Sequence, residues 1–274
     1  MHFKTLSLDE SLSSDIFEVE IDDTVYLITG ANKGIGFGLM TLLLQRPNTT
    51  IIACARQLNA DFTRALFSIP ESHSSSRVWA CRLPSLGTDV ARTTDAEWTT
   101  ALSVLPRHPG LRIDVLVACA GSSPGYHVLR ETSANDMRDA FEVNAVGPLS
   151  LFQTFYESLV KAERPKFVLI SSALGSIEHC HQAGPSLAYG ASKAAANYVA
   201  RKIHCEDGRM ISLAIHPGWV KTEMGQGFAD SVGVESPPMT VQQSTVAILD
   251  LIDQAAKDST SGKFLSYDGT TVPW

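Results

Sequence analysis

Tyr189-Gly190-Ala191-Ser192-Lys193 spaces a phenol and an ammonium four residues apart. On a helix, residues at that spacing share one face. Tyrosine titrates near pH 10 in isolation, which makes it a poor acid or base at neutral pH. A lysine about 4 Å away, at an effective dielectric near 20, favours the phenolate by about 4 kcal/mol. That is roughly three pKa units. The expectation is a phenol lowered into the range where it can give or take a proton. The spacing alone is common on ordinary helices, so its meaning depends on what the rest of the chain brings to it.

Upstream, Thr24 to Thr29 is a short β-rich run. Gly30-Ala31-Asn32-Lys33-Gly34-Ile35-Gly36 follows at once, and Phe37 to Gln45 reads as a helix stopped by Pro47. Strand, glycine turn and helix form the context in which a glycine motif binds a dinucleotide. Gly30 permits the tight turn, Gly34 a close pyrophosphate, and Gly36 the packing of helix on strand. The helix N-terminus then offers N–H groups to phosphates. A second strand, Thr50 to Ala55, ends at Arg56. An NAD site places an acid there for the ribose 2′-hydroxyl. This chain has none, and Lys33 and Arg56 are both basic, which favours a 2′-phosphate and hence NADPH.

The elements that must position the Tyr-Lys pair follow in order. Asp61 to Phe67 reads as a helix, Arg77 to Leu83 as a strand, and Asp95 to Leu105 as a helix. Ile113 to Ala118 is a strand running into Cys119-Ala120-Gly121, small enough for a ribose to approach. Asn135 to Lys161 carries a long helical pattern, with Asn144 inside it and a break expected there from Pro148. The strand Lys166 to Ser171 leads to Ser172, a loop spans Ala173 to Ser186, and Leu187 to Cys205 is the Tyr-Lys helix. Ile211 to His216 is a strand followed by Pro217-Gly218-Trp219-Val220-Lys221-Thr222. Glu223 to Met239 reads as a mobile lid. Thr240 caps a helix running to about Lys257, and Lys263 to Ser266 is a last strand. The alternation predicts an α/β chain: a single-domain Rossmann fold, doubly wound around a parallel sheet with helices on both faces. The domain is expected over residues 24–274, after a polar extension of residues 1–23.

The chain has 274 residues, enough for one large domain. Its formal net charge of −7 argues against a nucleic-acid partner. No apolar run reaches the roughly 18 residues of a membrane helix, and the start lacks a signal-peptide pattern. Five cysteines, Cys54, Cys81, Cys119, Cys180 and Cys205, form no Cys-x-x-Cys and read as reduced thiols of a cytoplasmic protein. His179-Cys180-His181 has the wrong spacing for zinc, so no metal is expected.

The ordered set Thr29-Gly30-x-x-x-Gly34-x-Gly36, Asn144, Ser172, Tyr189-x-x-x-Lys193 and Pro217-Gly218 resembles the short-chain dehydrogenase/reductase family. The resemblance implies Tyr189 as the general acid toward a ketone oxygen. It implies Lys193 as the group that tunes Tyr189 and holds the nicotinamide ribose. Ser172 would bond the substrate oxygen, and Asn144 would hold a water in a proton relay. Cofactor contacts would come from Gly30, Asn32, Lys33, Gly34, Ile35, Gly36, Arg56, Cys119, Ala120, Gly121, Tyr189, Lys193, Pro217, Gly218, Val220 and Thr222. Ser172 as a turn serine and Asn144 as a cap remain the plain alternatives; Ser171 as the catalytic serine requires the opposite strand face. The family often has Asn-Asn-Ala-Gly where Ala118-Cys119-Ala120-Gly121 stands here.

Narrower likenesses lie in Thr24 to Gly30, Ala195 to Lys202 and Asp268 to Trp274. These look like the fungal norsolorinic acid ketoreductases. Asn32 to Phe37 is similar to Sniffer-type NADPH-dependent carbonyl reductases. Both imply reduction, with NADPH, of a small-molecule ketone, in the first case an aromatic or polyketide secondary metabolite. A homodimer or homotetramer is the common assembly of such proteins. An NADP-dependent alcohol dehydrogenase, a dehydratase or cyclase, and a non-catalytic NADPH-binding protein are the competing readings.

Overall fold

A computed structural model describes residues 2–5, 22–56, 60–67, 69, 72–82, 110–182 and 184–274. Its strands are β1 (His2–Thr5), β2 (Thr24–Thr29), β3 (Thr49–Ala55), β4 (Arg77–Arg82), β5 (Val115–Ala118), β6 (Lys166–Ile170), β7 (Ile211–His216) and β8 (Phe264–Ser266). They form one sheet in the order β1-β4-β3-β2-β5-β6-β7-β8, and every pairing between named strands is parallel. The expected helix Asp95 to Leu105 lies outside the described residues.

Side chains alternate between two cores. Val25 and Leu27 of β2, Leu116 of β5 and Phe167 of β6 point to one face. Tyr26, Ile28, Val117 and Val168 point to the other. A parallel sheet buried on both sides needs this near-continuous apolar run. On the first face lie α4 (Gly147–Leu159) and α5 (Leu187–Glu206), contributing Leu151, Phe155, Ala196 and Ala200. On the second lie α1 (Gly34–Leu43), α2 (Ala60–Phe67) and α7 (Val241–Asp253), contributing Leu39, Leu43, Phe62 and Ile248. The sheet is doubly wound, as the alternation predicts.

The long pattern from Asn135 to Lys161 is interrupted. α3 (Ala134–Phe141) passes into a π turn at Glu142–Val146 before α4 begins. Pro148 has no N–H for the carbonyl of Asn144, four residues back. The helix slips by one residue, and the Gly147 N–H bonds the Glu142 carbonyl.

Two stretches differ most from expectation. The stretch read as a lid contains a helix, α6 (Glu223–Ser231), capped by Thr222 Oγ1, which accepts the Gly225 N–H at 3.0 Å. Two glycines weaken the helical pattern, but close packing requires one of them: a Cβ on Gly225 would lie 2.0 Å from the Val220 carbonyl. The last helix ends at Asp253 and not near Lys257. Lys257 Nζ instead donates to the carbonyls of His204, Asp207 and Met210, closing the C-terminal end of α5.

Candidate active site

The strand order reverses between β2 and β5, which leave the sheet side by side. In doubly wound sheets that crevice is where ligands bind. Gly30 follows β2 with φ +67, and a Cβ there would come 3.0 Å from Ala120 Cα. A Cβ on Gly36 would meet the Gly30 carbonyl at 2.4 Å. The turn is thus pressed against both its own helix and the end of β5. Thr29 Oγ1 accepts the N–H groups of both Cys119 and Ala120 at 3.0 Å. That hydroxyl steadies a segment whose family asparagine is absent here.

Three more elements converge on this crevice. Asn144, in the π turn, donates from Nδ2 to the Ser122 carbonyl and to Ser192 Oγ, both at 2.8 Å, and accepts the Ser122 N–H at 2.9 Å. Ser172 sits just past β6, close enough to the Tyr189 phenol to favour its ionised form. Ser171 points the other way, donating to Asn197 Oδ1 at 2.5 Å, so Ser172 is the serine that faces the site. Lys193 Nζ lies 5.6 Å from the Tyr189 ring centroid and donates to the Ile170 carbonyl at 2.8 Å. A Cβ on Gly121 would lie 3.3 Å from Asn144 Oδ1 and 3.4 Å from Lys193 Nζ. The β5 loop, the π turn and the lysine therefore meet at one point.

This stretch of the chain, residues 24–232, matches the family model for short chain dehydrogenases. The chain belongs to the short-chain dehydrogenase family. A norsolorinic acid ketoreductase of Dothistroma septosporum is 37% identical over 257 residues, spanning 92% of each chain. The NADPH-bound carbonyl reductase from chicken fatty liver superposes with a TM-score of 0.77 at 28% identity, covering 92% of this chain and 99% of its own. The carbonyl reductase Sniffer of Drosophila melanogaster gives 0.74 at 26% identity, with the same two coverages.

As a short-chain dehydrogenase the protein is an oxidoreductase, and its acid-base pair differs electrostatically from the expectation drawn from spacing. Burial pushes the Tyr189 phenol well above its ordinary value, the neighbouring Tyr126 adds to the shift, and Ser172 pulls it back only in part. Lys193 does not offset this. Burial draws its own ammonium down to about 8, opposed by Cys119. Desolvation disfavours both charged forms, and residue spacing alone cannot reveal it.

The basic residues also divide. Arg56 stands exposed just after β3, where a 2′-phosphate is expected. Lys33 Nζ pairs with the Glu223 carboxylate at the start of α6, tying the glycine turn to the segment beyond Thr222. Pro217 and Gly218 follow β7, Val220 is bridged to Met239, and the Thr222 methyl lies 3.3 Å from where a Gly34 Cβ would be, which brings this segment to the glycine turn.

An aromatic wall escaped the sequence reading. Tyr126 packs on Phe228 at 5.1 Å between centroids, and Phe228 on Trp219 at 5.4 Å. Tyr126 donates to the Met224 carbonyl at 3.2 Å, and Trp219 Nε1 to the Gly225 carbonyl at 3.0 Å. The only signal in the sequence was the presence of aromatics in two loop regions more than ninety residues apart.

Among the described residues, no group of three or more His, Cys, Asp or Glu is placed to hold a metal ion. No helix among them is long and apolar enough to cross a membrane.

Proposed function

We propose that the protein is an NADPH-dependent ketoreductase acting on aromatic or polyketide-type ketones, with Tyr189 as the general acid. The observation that carries this reading is the meeting of Ser172, Tyr189 and Lys193 beside a glycine turn at the sheet's switch point.

The turn suits a dinucleotide. α1 begins directly from the glycine turn, with no side-chain cap on its first N–H groups and no acid in its first turn. Uncapped N–H groups at a helix N-terminus are a site for phosphate. Gly30, Asn32, Gly34, Ile35 and Gly36 would surround the pyrophosphate, and Cys119, Ala120 and Gly121 would back the adjoining ribose. Lys193 would hold the nicotinamide ribose, with Pro217, Gly218, Val220 and Thr222 along the nicotinamide. The family likeness to an NADPH-bound carbonyl reductase supports the choice of nucleotide. Bound there, NADPH supplies the hydride for the carbonyl carbon.

The chain's own residues manage the oxygen. Ser172 donates a hydrogen bond to it and holds it against Tyr189. Tyr189, kept protonated through the neutral range by burial, gives up its phenolic proton as negative charge grows on that oxygen. Lys193 steadies the phenolate left behind. The Asn144 carbonyl, which Pro148 leaves without its usual N–H partner, is the acceptor we assign to the water that returns a proton toward Lys193.

The wall of Tyr126, Phe228 and Trp219 supports a flat substrate, since aromatic faces reward stacking by about 0.5–1.5 kcal/mol per pair. The likeness to a norsolorinic acid ketoreductase points the same way.

The test is consumption of NADPH by the purified protein against a panel of aromatic, polyketide-like and simple ketones, with NADH in parallel and products identified. Alcohols formed from the aromatic ketones with NADPH are expected. Tight NADPH binding with no consumption across the panel would count against the ketoreductase reading.

Two variants refine it. Arg56→Ala should weaken NADPH by about 10- to 100-fold, the value of one charge-assisted hydrogen-bond pair, and leave NADH unchanged. Equal loss for both nucleotides would remove Arg56 from the 2′-phosphate. Phe228→Ala should raise KM for fused-ring ketones by about tenfold and hardly alter it for small aliphatic ones; a uniform rise would mean that α6 had simply shifted.

A further inference from the structure

The sheet stops supplying hydrogen bonds just where Ser172 must be aimed. β6 and β7 stay paired as far as Ser171, whose N–H donates to the Ile215 carbonyl at 2.8 Å. In a parallel ladder the next N–H facing β7 comes two residues later, at Ala173, and its partner is the carbonyl two residues beyond Ile215. That residue is Pro217, where the chain turns away, and its carbonyl accepts the Ser244 hydroxyl at 2.6 Å. A side chain fills the gap. His216 Nδ1 accepts the Ala173 N–H at 3.0 Å.

We propose that His216 is a positioning residue for Ser172: its imidazole stands in for the missing main-chain carbonyl and fixes the peptide that aims the Ser172 hydroxyl at Tyr189. This rests on the reading of Ser172 as the group that holds the substrate oxygen.

The surroundings fit the task. Since the Ala173 N–H is the donor, Nδ1 carries a lone pair and the ring proton resides on Nε2. Burial draws the imidazole down to about 4, with Asp268 opposing, so the neutral acceptor form persists at physiological pH. The Tyr267 ring stands edge-on at 6.4 Å and limits the tilt of the imidazole. The opposite side of the turn is held from α5. Asn197, one helical turn past Lys193, accepts the Ser171 hydroxyl and donates to the Gly175 carbonyl at 3.4 Å. A Cβ on Gly175 would lie 2.8 Å from Lys193 Cβ, so the turn lies flush on the helix that carries Tyr189. Ser172 Oγ itself accepts the Leu174 N–H at 3.2 Å, so a tilt of the Ala173 peptide carries the hydroxyl with it. Misplacing a catalytic group by about 1 Å can cost about 100-fold in rate.

The experiment compares Asn, Gln and Phe at position 216. It measures kcat and KM for a ketone that the wild type reduces, NADPH affinity by nucleotide fluorescence, and Tm. In His216→Asn the amide oxygen takes the place of Nδ1, whereas in His216→Gln it reaches one carbon too far. The expected result is a kcat within about threefold of wild type for Asn and at least tenfold lower for Gln and Phe, with NADPH affinity unchanged in all three. Equal rates for Asn and Gln would overturn the proposal even if the Phe variant does not fold. A double-mutant cycle separates it from its premise. Ser172→Ala alone should be strongly impaired, and His216→Gln should cost little more in that background. If His216→Gln costs its full factor there, His216 does not act through Ser172. If Ser172→Ala is as fast as wild type, the reading of Ser172 itself fails, and the positioning role with it.

Discussion

Tyr189→Phe is expected to lower ketone reduction by about 10²- to 10⁴-fold, the usual worth of a positioned proton donor, with NADPH affinity within twofold of wild type. The reason is geometric as well as chemical. The ring is buried between Ser172, Tyr126 and the Lys193 ammonium, and phenylalanine fills the same volume without the hydroxyl. Burial holds the phenol protonated, which suits a group that must enter the reaction as an acid. The alkoxide produced by reduction is a stronger base than a phenolate, so the transfer runs downhill even from a phenol shifted upward. Steady-state rates on an aromatic ketone, with nucleotide binding followed separately, decide the matter. Turnover within tenfold of wild type would remove Tyr189 as the acid.

Lys193→Met is expected to act in opposite directions on activity and stability. Activity should fall by at least about 100-fold, as when a preorganised charge is removed from a reaction centre. Stability should rise. The ammonium is buried and titrates near 8, against 10.5 for the unperturbed side chain. Keeping it charged in the fold therefore costs about 3 kcal/mol at neutral pH. Methionine avoids that cost but leaves the Ile170 carbonyl without its donor, which takes back about 1–2 kcal/mol. The net gain of about 1–2 kcal/mol corresponds to a Tm higher by about 2–6 °C. A pH series sharpens the test. Between pH 8 and 10 the unfolded lysine holds its proton while the folded one releases it, so wild-type stability climbs with pH across that window. Above pH 10 the raised phenol of Tyr189 works in the opposite sense. The variant lacks the climb. A Tm several degrees below wild type would show that the ammonium is a net stabiliser.

Much of the architecture was legible because its signals are local. The Gly30 turn is strand, glycine and helix within a dozen residues, and β2 and β7 have the bounds their apolar runs suggest. The break at Asn144 was readable because Pro148 strikes at a fixed distance along the helix. What could not be read is what depends on partners far apart in sequence. His216 meets Ala173 across 43 residues and Tyr126 meets Met224 across 98. The spacing of Tyr189 and Lys193 indicates that the two are neighbours, but the depth at which the whole fold buries them determines their titration, and burial overrode the Coulomb argument. α6 was hidden by Gly225 and Gly227, whose poor helix propensity is outweighed by the packing of Gly225 on Val220; Thr222 followed by Glu223 was the available signal.

The π turn at Glu142–Val146 makes the site sensitive to chain length at one place. An α-helix advances about 100° per residue. A chain shortened by one residue within that segment would regain regular i→i−4 bonding as far as Pro148 allows. It would also rotate α3 by more than a quarter turn relative to α4. Asn144 would swing away from Ser122 and Ser192, and the capped start of α3 would leave its seat. Substitutions in the segment alter single contacts, whereas a deletion changes the phase of everything before it. Relatives that keep the chemistry should therefore tolerate changes of residue type at the positions flanking Asn144 far more readily than changes of length.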